Sequence, residues 1–214
     1  MDQLKKTEKS PRSSSFLSYP PGRTKIVEAV KQLLEKKEFQ AITTAEIART
    51  AGVTEPLIYK YFKDKRDLLN QVLEGYLEQY IDRIELDLKG IKGAMNKLRK
   101  LIWSHLYTYA TNRIFAKIIL LEVKGFPIYF ESKTYHLSRR YGDIILEIID
   151  EGIKNGEFRK DISPSSLKRL ILGGIERVIL PGLIFNRDIS PDILTEDLCS
   201  LLFYGIYKDA SLSQ

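Results

Sequence analysis

Cysteine occurs once, at Cys199, so the chain can close no internal disulfide and suits a reducing cytosol. No apolar run approaches the roughly 18 residues needed to cross a bilayer. The basic N-terminus lacks the apolar stretch that follows in a secretion signal. Histidine is scarce too. His105 and His136 lie far apart, and neither has a Glu or His at metal-ligand spacing, so no metal is expected. A Gly-rich phosphate loop and a nucleophile elbow are both missing, since Leu172-Gly173-Gly174-Ile175-Glu176-Arg177 lacks the flanking pattern. Strand alternation and hairpin turns are absent as well. These absences argue against an enzyme, a cofactor or a membrane protein, and leave an all-α chain expected in the cytoplasm.

What is present begins with charge. Hydrophobic residues make up 43% and charged residues 29%, enough for a sizeable core. The net charge of +6 is unevenly placed. Residues 1–66 hold 14 Lys and Arg against 8 Asp and Glu, whereas the remainder holds 20 of each sign. A basic head on a neutral body is the footprint of a polyanion-binding protein. A basic tail that only aids solubility is the plainer alternative.

Residues 1–22, rich in Lys, Ser and Pro, read as a disordered basic leader. From Arg23, Ile26, Val27, Val30, Leu33 and Leu34 recur at helical spacing. Thr43 and Glu46 then form a capping box for a short helix that Gly52 stops. Thr54 offers the next N-cap, with Pro56 in the first turn, where a missing N–H costs nothing. Two short helices joined by Gly-Val-Thr are a helix-turn-helix signature. The predicted division is a helix-turn-helix domain over 23–70 and a body over 71–214. A long helix from Asp64 joins them, with an apolar stripe from Leu68 to Ile84. Further helices are predicted near 94–111, 113–124, 127–154, 164–185 and 191–208. Ser163-Pro164 and Ser190-Pro191 open the last two, and Pro181 should end or kink the first of these.

In the second short helix Ile58 and Phe62, four apart, face the core. Glu55, Tyr59, Lys60 and Lys63 fill the remaining arc, with Pro56 and Leu57 at the exposed tip. The first turn of such a helix enters the major groove, where lysine can bond guanine and a tyrosine hydroxyl a phosphate. Lys65 has the reach for a backbone phosphate. Thr43 and Thr44 place hydroxyls and amides where another phosphate could sit, pure capping being the alternative for Thr43. Glu55 either accepts from a cytosine amino group or favours the helix dipole.

The stretch ITTAEIARTAGVTEPLIYKYFKDKRDLL resembles the DNA-binding head of the tetracycline-repressor (TetR) family. The shared pattern is a Thr-capped helix, Ala-Gly-Val, then Ile-Tyr-x-Tyr-Phe-Lys-x-Lys and a Leu pair. The match covers Arg23 to Leu73, and DEGIKNGEFRKDISPS resembles the family's joint between its seventh and eighth helices. The resemblance implies about nine helices: a three-helix head joined through a long fourth helix to a ligand-binding and dimerisation body. It implies a homodimeric repressor on a palindromic double-stranded DNA operator, answering to a small apolar or aromatic effector. By position, Thr44, Thr54, Pro56, Leu57, Tyr59, Lys60, Tyr61 and Lys65 would touch DNA. Leu57 stands where many members have Thr or Ser, and Ala45 where some carry a base-reading arginine, which bears on operator sequence.

For the body, Trp103, Leu106, Tyr107, Ile118, Leu121, Phe126, Tyr129, Tyr141 and Ile145 are the expected lining of an effector pocket, with a packed core as the plain alternative. Glu176 and Arg177 are either polar anchors of that pocket or a seam pair. The last two helices are apolar around more than one face, which suits a two-fold seam. Its expected members are Leu170, Gly173, Gly174, Ile175, Val178, Leu198, Leu201, Leu202, Tyr204 and Gly205. A helical protein-interaction module without effector control, and a small-molecule enzyme on a helical scaffold, are the competing functions.

Overall fold

Most helices begin where the sequence supplies a cap or a proline. The computed structural model describes residues 20–204, in which all regular structure is helical. Helix α1 (Pro21–Leu34) opens on a proline whose absent N–H is no loss in the first turn, so it starts two residues inside the expected leader. A 3-10 turn (Phe39–Ala41) leads to α2 (Thr44–Ala51) and α3 (Glu55–Tyr61). Asp64 caps the long α4 (Lys65–Asp87) by accepting from the Asp67 amide at 2.8 Å. Then come α5 (Ala94–Thr111) and α6 (Arg113–Lys117), the latter widening into a π-helical stretch over Ile118–Val123.

The helix expected over 127–154 is broken. A 3-10 turn covers Pro127–Glu131, and α7 (Lys133–Asn155) restarts at Ser132, whose hydroxyl accepts from the Tyr135 amide. Helix α8 (Pro164–Ile184) and α9 (Pro191–Tyr204) complete the described chain. Pro181 does not end α8, which runs one further turn. There the Arg113 guanidinium donates to the carbonyls of Gly182 and Arg187, holding that end in place. Residues 1–19, and Gly205 with the predicted end of the last helix, lie outside the described residues.

The head is α1 packed on α2, α3 and the start of α4. Leu68, Leu69, Val72 and Leu73 of α4 are buried, and so are Leu77, Tyr80, Ile81 and Ile84 further along. One helix of about 35 Å thus carries a continuous buried stripe. In the body, α5 is the central rod, touched by α4, α6, α7, α8 and α9, with Leu98, Leu101, Ile102 and Leu106 buried. Cys199 of α9 packs into this core, and burial pushes its thiol up to about 11.

The joint after α7 fixes α5 from a distance. Gly156 takes the left-handed conformation (φ 80°), and the Glu157 carboxylate accepts from the Ala94 and Met95 amides at 2.9 and 3.1 Å. Those amides are first-turn donors without partners inside α5. Phe158 folds back over Gly152, where a Cβ would overlap its ring and come within 2.9 Å of Ala94 Cβ. Alanine ordinarily gains about 1 kcal/mol over glycine inside a helix. Overpacking costs about 1–3 kcal/mol, so here the clash dominates. Gly152→Ala is expected to lower stability by about 1–2 kcal/mol, read as an earlier urea midpoint with an unchanged slope.

Candidate nucleic-acid interface and effector cavity

The turn between α2 and α3 rests on Gly52 (φ 63°), a conformation that costs a Cβ-bearing residue. The capping box forms: the Glu46 amide donates to Thr43 Oγ1 at 3.2 Å and the Thr43 amide to Glu46 Oε2 at 3.3 Å. Lys37 pairs with the same carboxylate, and that hydrogen bond leads the causes that lower the Glu46 pKa. The Thr43 oxygen accepts in its cap, which leaves the hydroxyl proton free to donate. Thr44 Oγ1 donates to Glu55 Oε2 at 3.1 Å, tying the first turns of α2 and α3 into one surface. Thr54 stands at the N-cap of α3 with no side-chain bond to the helix.

Ile58 and Phe62 are buried as their spacing requires, whereas Thr54, Glu55, Pro56, Tyr59 and Lys60 are exposed, Tyr59 by 55%. Leu57 and Tyr61 are half-buried, because their side chains lie against Gly22 in the first turn of α1. Lys65 is placed differently from expectation. Its ammonium donates to the carbonyls of Phe39 (3.0 Å), Gln40 (3.5 Å) and Ile42 (2.8 Å) and sits 4.4 Å from the Phe39 ring centre. Those bonds occupy the three donors of an ammonium, and burial pulls its pKa down. In this arrangement Lys65 is a strut holding the loop before α2, not a free ligand for phosphate.

The head meets the body along the stretch 117–126. Gln40 donates to Glu122 at 2.8 Å, Lys117 lies 3.7 Å from Glu38, and the Arg66 guanidinium stacks 3.8 Å over the Phe126 ring. Behind this stretch lies a cavity of about 70 Å³ inside the body. Its walls include Tyr80 (α4), His105 and Tyr109 (α5), Ile119 and Lys124, Tyr141 (α7) and Glu176 (α8). His105 Nδ1 and the Tyr141 hydroxyl are 2.9 Å apart, and Lys124 pairs with Glu176.

Of the expected pocket residues, Tyr141 alone lines this cavity. Tyr129 is one bond away, donating to the Ser138 hydroxyl in the wall at 2.9 Å. Leu106, Ile118 and Ile145 are buried elsewhere in the core. Trp103 and Tyr107 stack on each other at 4.9 Å on the far side of α5, with the indole N–H bonded to Asp192 of α9. Leu121 and Phe126 face outward by the head, and Arg177 is exposed. Glu176 lines the cavity, and Arg177, 100° further round the helix, is exposed. Sequence reasoning missed Tyr80, His105, Tyr109 and Lys124. The usable signal was polar atoms at stripe positions, His105 and Tyr109 being four apart.

Desolvation holds His105 neutral, its pKa lowered from 6.5 to about 3. The unfolded chain binds this proton below pH 6.5 and the native protein does not. The stability contribution is therefore complete above pH 6.5 and is lost as pH falls toward 3, by about 1.4 kcal/mol per pH unit. Urea unfolding at pH 7 and pH 5 is expected to show about 2 kcal/mol more acid loss in the wild type than in His105→Gln.

On α8 and α9, Leu170 (63%), Leu201 (55%) and Tyr204 (73%) stand exposed together with Ile184, Phe185 and Ile193. Gly173 is exposed, and Val178, Leu198 and Leu202 are half-buried. Two expected seam residues serve the protomer itself. Ile175 is wholly buried in its own core, leaving nothing for a partner, and Gly174 gives room to Leu198 of α9, 3.2 Å from where its Cβ would be. Among the described residues no group of three or more His, Cys, Asp or Glu side chains could hold a metal ion. Nor is any described helix long and apolar enough to cross a membrane.

A short exposed helix with basic and tyrosyl chemistry, set on a three-helix head and wired through one stretch to a cavity-bearing helical body, defines a DNA-binding regulator that responds to a ligand. The chain belongs to the TetR family: residues 26–72 match the model of bacterial regulatory proteins of the tetR family, and residues 73–202 that of the YsiA-like protein C-terminal region. It is 26% identical over 188 residues to the fatty acid metabolism regulator protein of Bacillus subtilis, covering 88% of this chain and 97% of that one. The crystal structure of the regulator FadR from that organism in complex with stearoyl-CoA superposes with a TM-score of 0.77, over 86% of this chain and 99% of the other, at 26% identity. The nucleoid occlusion factor SlmA of Cronobacter sakazakii is 35% identical over 81 residues only, 37% of this chain and 41% of that protein.

Proposed function

We propose that this protein is a cytoplasmic homodimeric repressor that holds a palindromic operator and releases it when a long-chain fatty acyl thioester enters the body. The observation that carries this is the double role of the stretch 117–126. It places Ile119 and Lys124 in the cavity wall while Lys117, Glu122 and Phe126 grip the head. The ligand class is suggested by the likeness to the fatty acid metabolism regulator and by the FadR complex with stearoyl-CoA.

A cavity of about 70 Å³ is far smaller than the ~300–1,000 Å³ of ordinary ligand sites. A long acyl chain must therefore spread the helices around it. The stretch that starts with the π-helical residues 118–123 is the wall best suited to yield, since such turns are rare and recur at functional sites. Its displacement pulls on Gln40 and Arg66, altering the separation of two heads that must fit half-sites about 34–36 Å apart. Thr54, Pro56, Tyr59 and Lys60 then supply the DNA contacts, with Leu57 and Tyr61 at the margin.

The test is fluorescence anisotropy on an operator found by footprinting upstream of the protein's own gene. Palmitoyl-CoA is expected to weaken binding by at least tenfold, a coupling of about 1.4 kcal/mol. Operator affinity indifferent to palmitoyl-CoA would overturn the acyl-ligand reading. Unchanged mobility of all promoter fragments at moderate salt would favour a protein-interaction module instead.

A further inference from the structure

One residue in the cavity wall carries a hydroxyl that the fold satisfies poorly. Tyr80 is buried and lines the cavity, and its hydroxyl makes no hydrogen bond of good geometry, its one polar neighbour being the Tyr141 hydroxyl. Burying a polar group in that state is unfavourable, and the neighbouring groups are engaged with one another. The Tyr141 hydroxyl bonds His105, and Ser138 accepts from Tyr129 while donating to the Thr134 carbonyl at 3.0 Å. The Lys124 ammonium is matched by the Glu176 carboxylate. Formal charge in the cavity wall therefore cancels, with His105 neutral.

That balance selects among ligand head groups. A carboxylate brought here would meet no uncommitted cation, and desolvating it costs several kcal/mol. An uncharged oxygen needs only one donor, and Tyr80 has one to give. We propose that Tyr80 is a specificity-determining residue that donates to the thioester carbonyl of the effector, so that the cavity accepts acyl thioesters and refuses free fatty acids. This rests on the acyl-ligand reading above, and adds to it the atom that is read and the residue that reads it.

The experiment compares palmitoyl-CoA, hexadecyl-CoA (the thioether without the carbonyl oxygen) and palmitate as releasers of operator DNA. Wild type and Tyr80→Phe are each normalised to their own ligand-free affinity. In the wild type, palmitoyl-CoA is expected to act at about tenfold lower concentration than the thioether, the worth of one buried hydrogen bond, and palmitate to have no effect. In Tyr80→Phe the thioester and thioether should become equal, with palmitoyl-CoA about tenfold weaker than before. Phenylalanine removes only a poorly paired oxygen, so the melting temperature is expected to hold or rise, which reports that the variant is folded. If Tyr80→Phe keeps the wild-type preference for the thioester, the assignment fails and the hydroxyl serves only a bound water. Equal response to palmitate and palmitoyl-CoA also overturns it. A wild type that ignores palmitoyl-CoA altogether removes the acyl-ligand reading, and this inference with it.

Discussion

Replacing Leu170 and Leu201 together by aspartate is expected to yield a folded monomer whose operator affinity is lower by a factor of about 10²–10⁴. Both side chains are at least half exposed in the protomer, as are Ile184, Ile193 and Tyr204 of the same two helices. This many large exposed apolar side chains on two packed helices is what an interaction face supplies. In a two-fold seam each substitution acts twice. Four buried leucines at about 2 kcal/mol each contribute on the order of 8 kcal/mol, and burying four carboxylates adds to the loss. A dimer of micromolar to nanomolar affinity is held by about 8–12 kcal/mol, so the variant should dissociate. Because neither residue lies in the protomer's core, circular dichroism and the melting temperature should stay near wild type. Native mass spectrometry reads the mass, and anisotropy the operator affinity. A double variant that remains dimeric would place the seam elsewhere.

The loss in affinity follows from geometry. Two linked heads bind their half-sites with the second encounter at high effective concentration, whereas separate heads must each be captured from solution. On the proposed function, the same linkage would let an effector act without touching DNA, since changing the span between heads removes the second encounter and leaves each head intact. The contacts of Gln40, Glu38 and Arg66 with the stretch 117–126 would then matter more than their individual strength, which at a partly exposed surface is small.

The head was legible in the sequence because its determinants are local. A capping box is two residues three apart, a helix stop is one glycine, and Ile58 and Phe62 reveal their face by spacing alone. Lys65 was not legible. Its three acceptors lie 23 to 26 residues earlier, and no periodicity links an ammonium to carbonyls in another loop. In the body the stripes on α5 were correct as stripes, but a central helix touched by five others has no single inside. Trp103 and Tyr107 make as good a stripe as His105 and Tyr109, yet one pair stacks toward α9 and the other faces the cavity. Choosing between them needs the partners' positions. Polar atoms were the better guide: a histidine and two tyrosines in otherwise apolar stripes each need a reason to be buried.

On the other surface, Tyr59→Ala with Lys60→Ala is expected to weaken the operator complex by on the order of 10³-fold while leaving the fold unaltered. Neither side chain makes a hydrogen bond or ion pair within the described residues, and both are exposed at the middle of α3. Their chemistry is therefore available to a partner, in contrast to Lys65 and the Thr44–Glu55 pair, which the head uses to hold itself together. A lysine on a guanine edge is worth about 1–3 kcal/mol, and a tyrosine hydroxyl on phosphate about 0.5–1.5 kcal/mol. Taken over two half-sites the sum is about 3–9 kcal/mol, and non-specific binding, as the floor, keeps the loss near the lower part of that range. The salt dependence separates the roles. If Lys60 neutralises a phosphate, the slope of log affinity against log salt should fall by about 0.9 per half-site. If it reads a base, the slope should hold and the footprint lose preference at one position per half-site. Wild-type footprints from the double variant would move the DNA contacts away from α3.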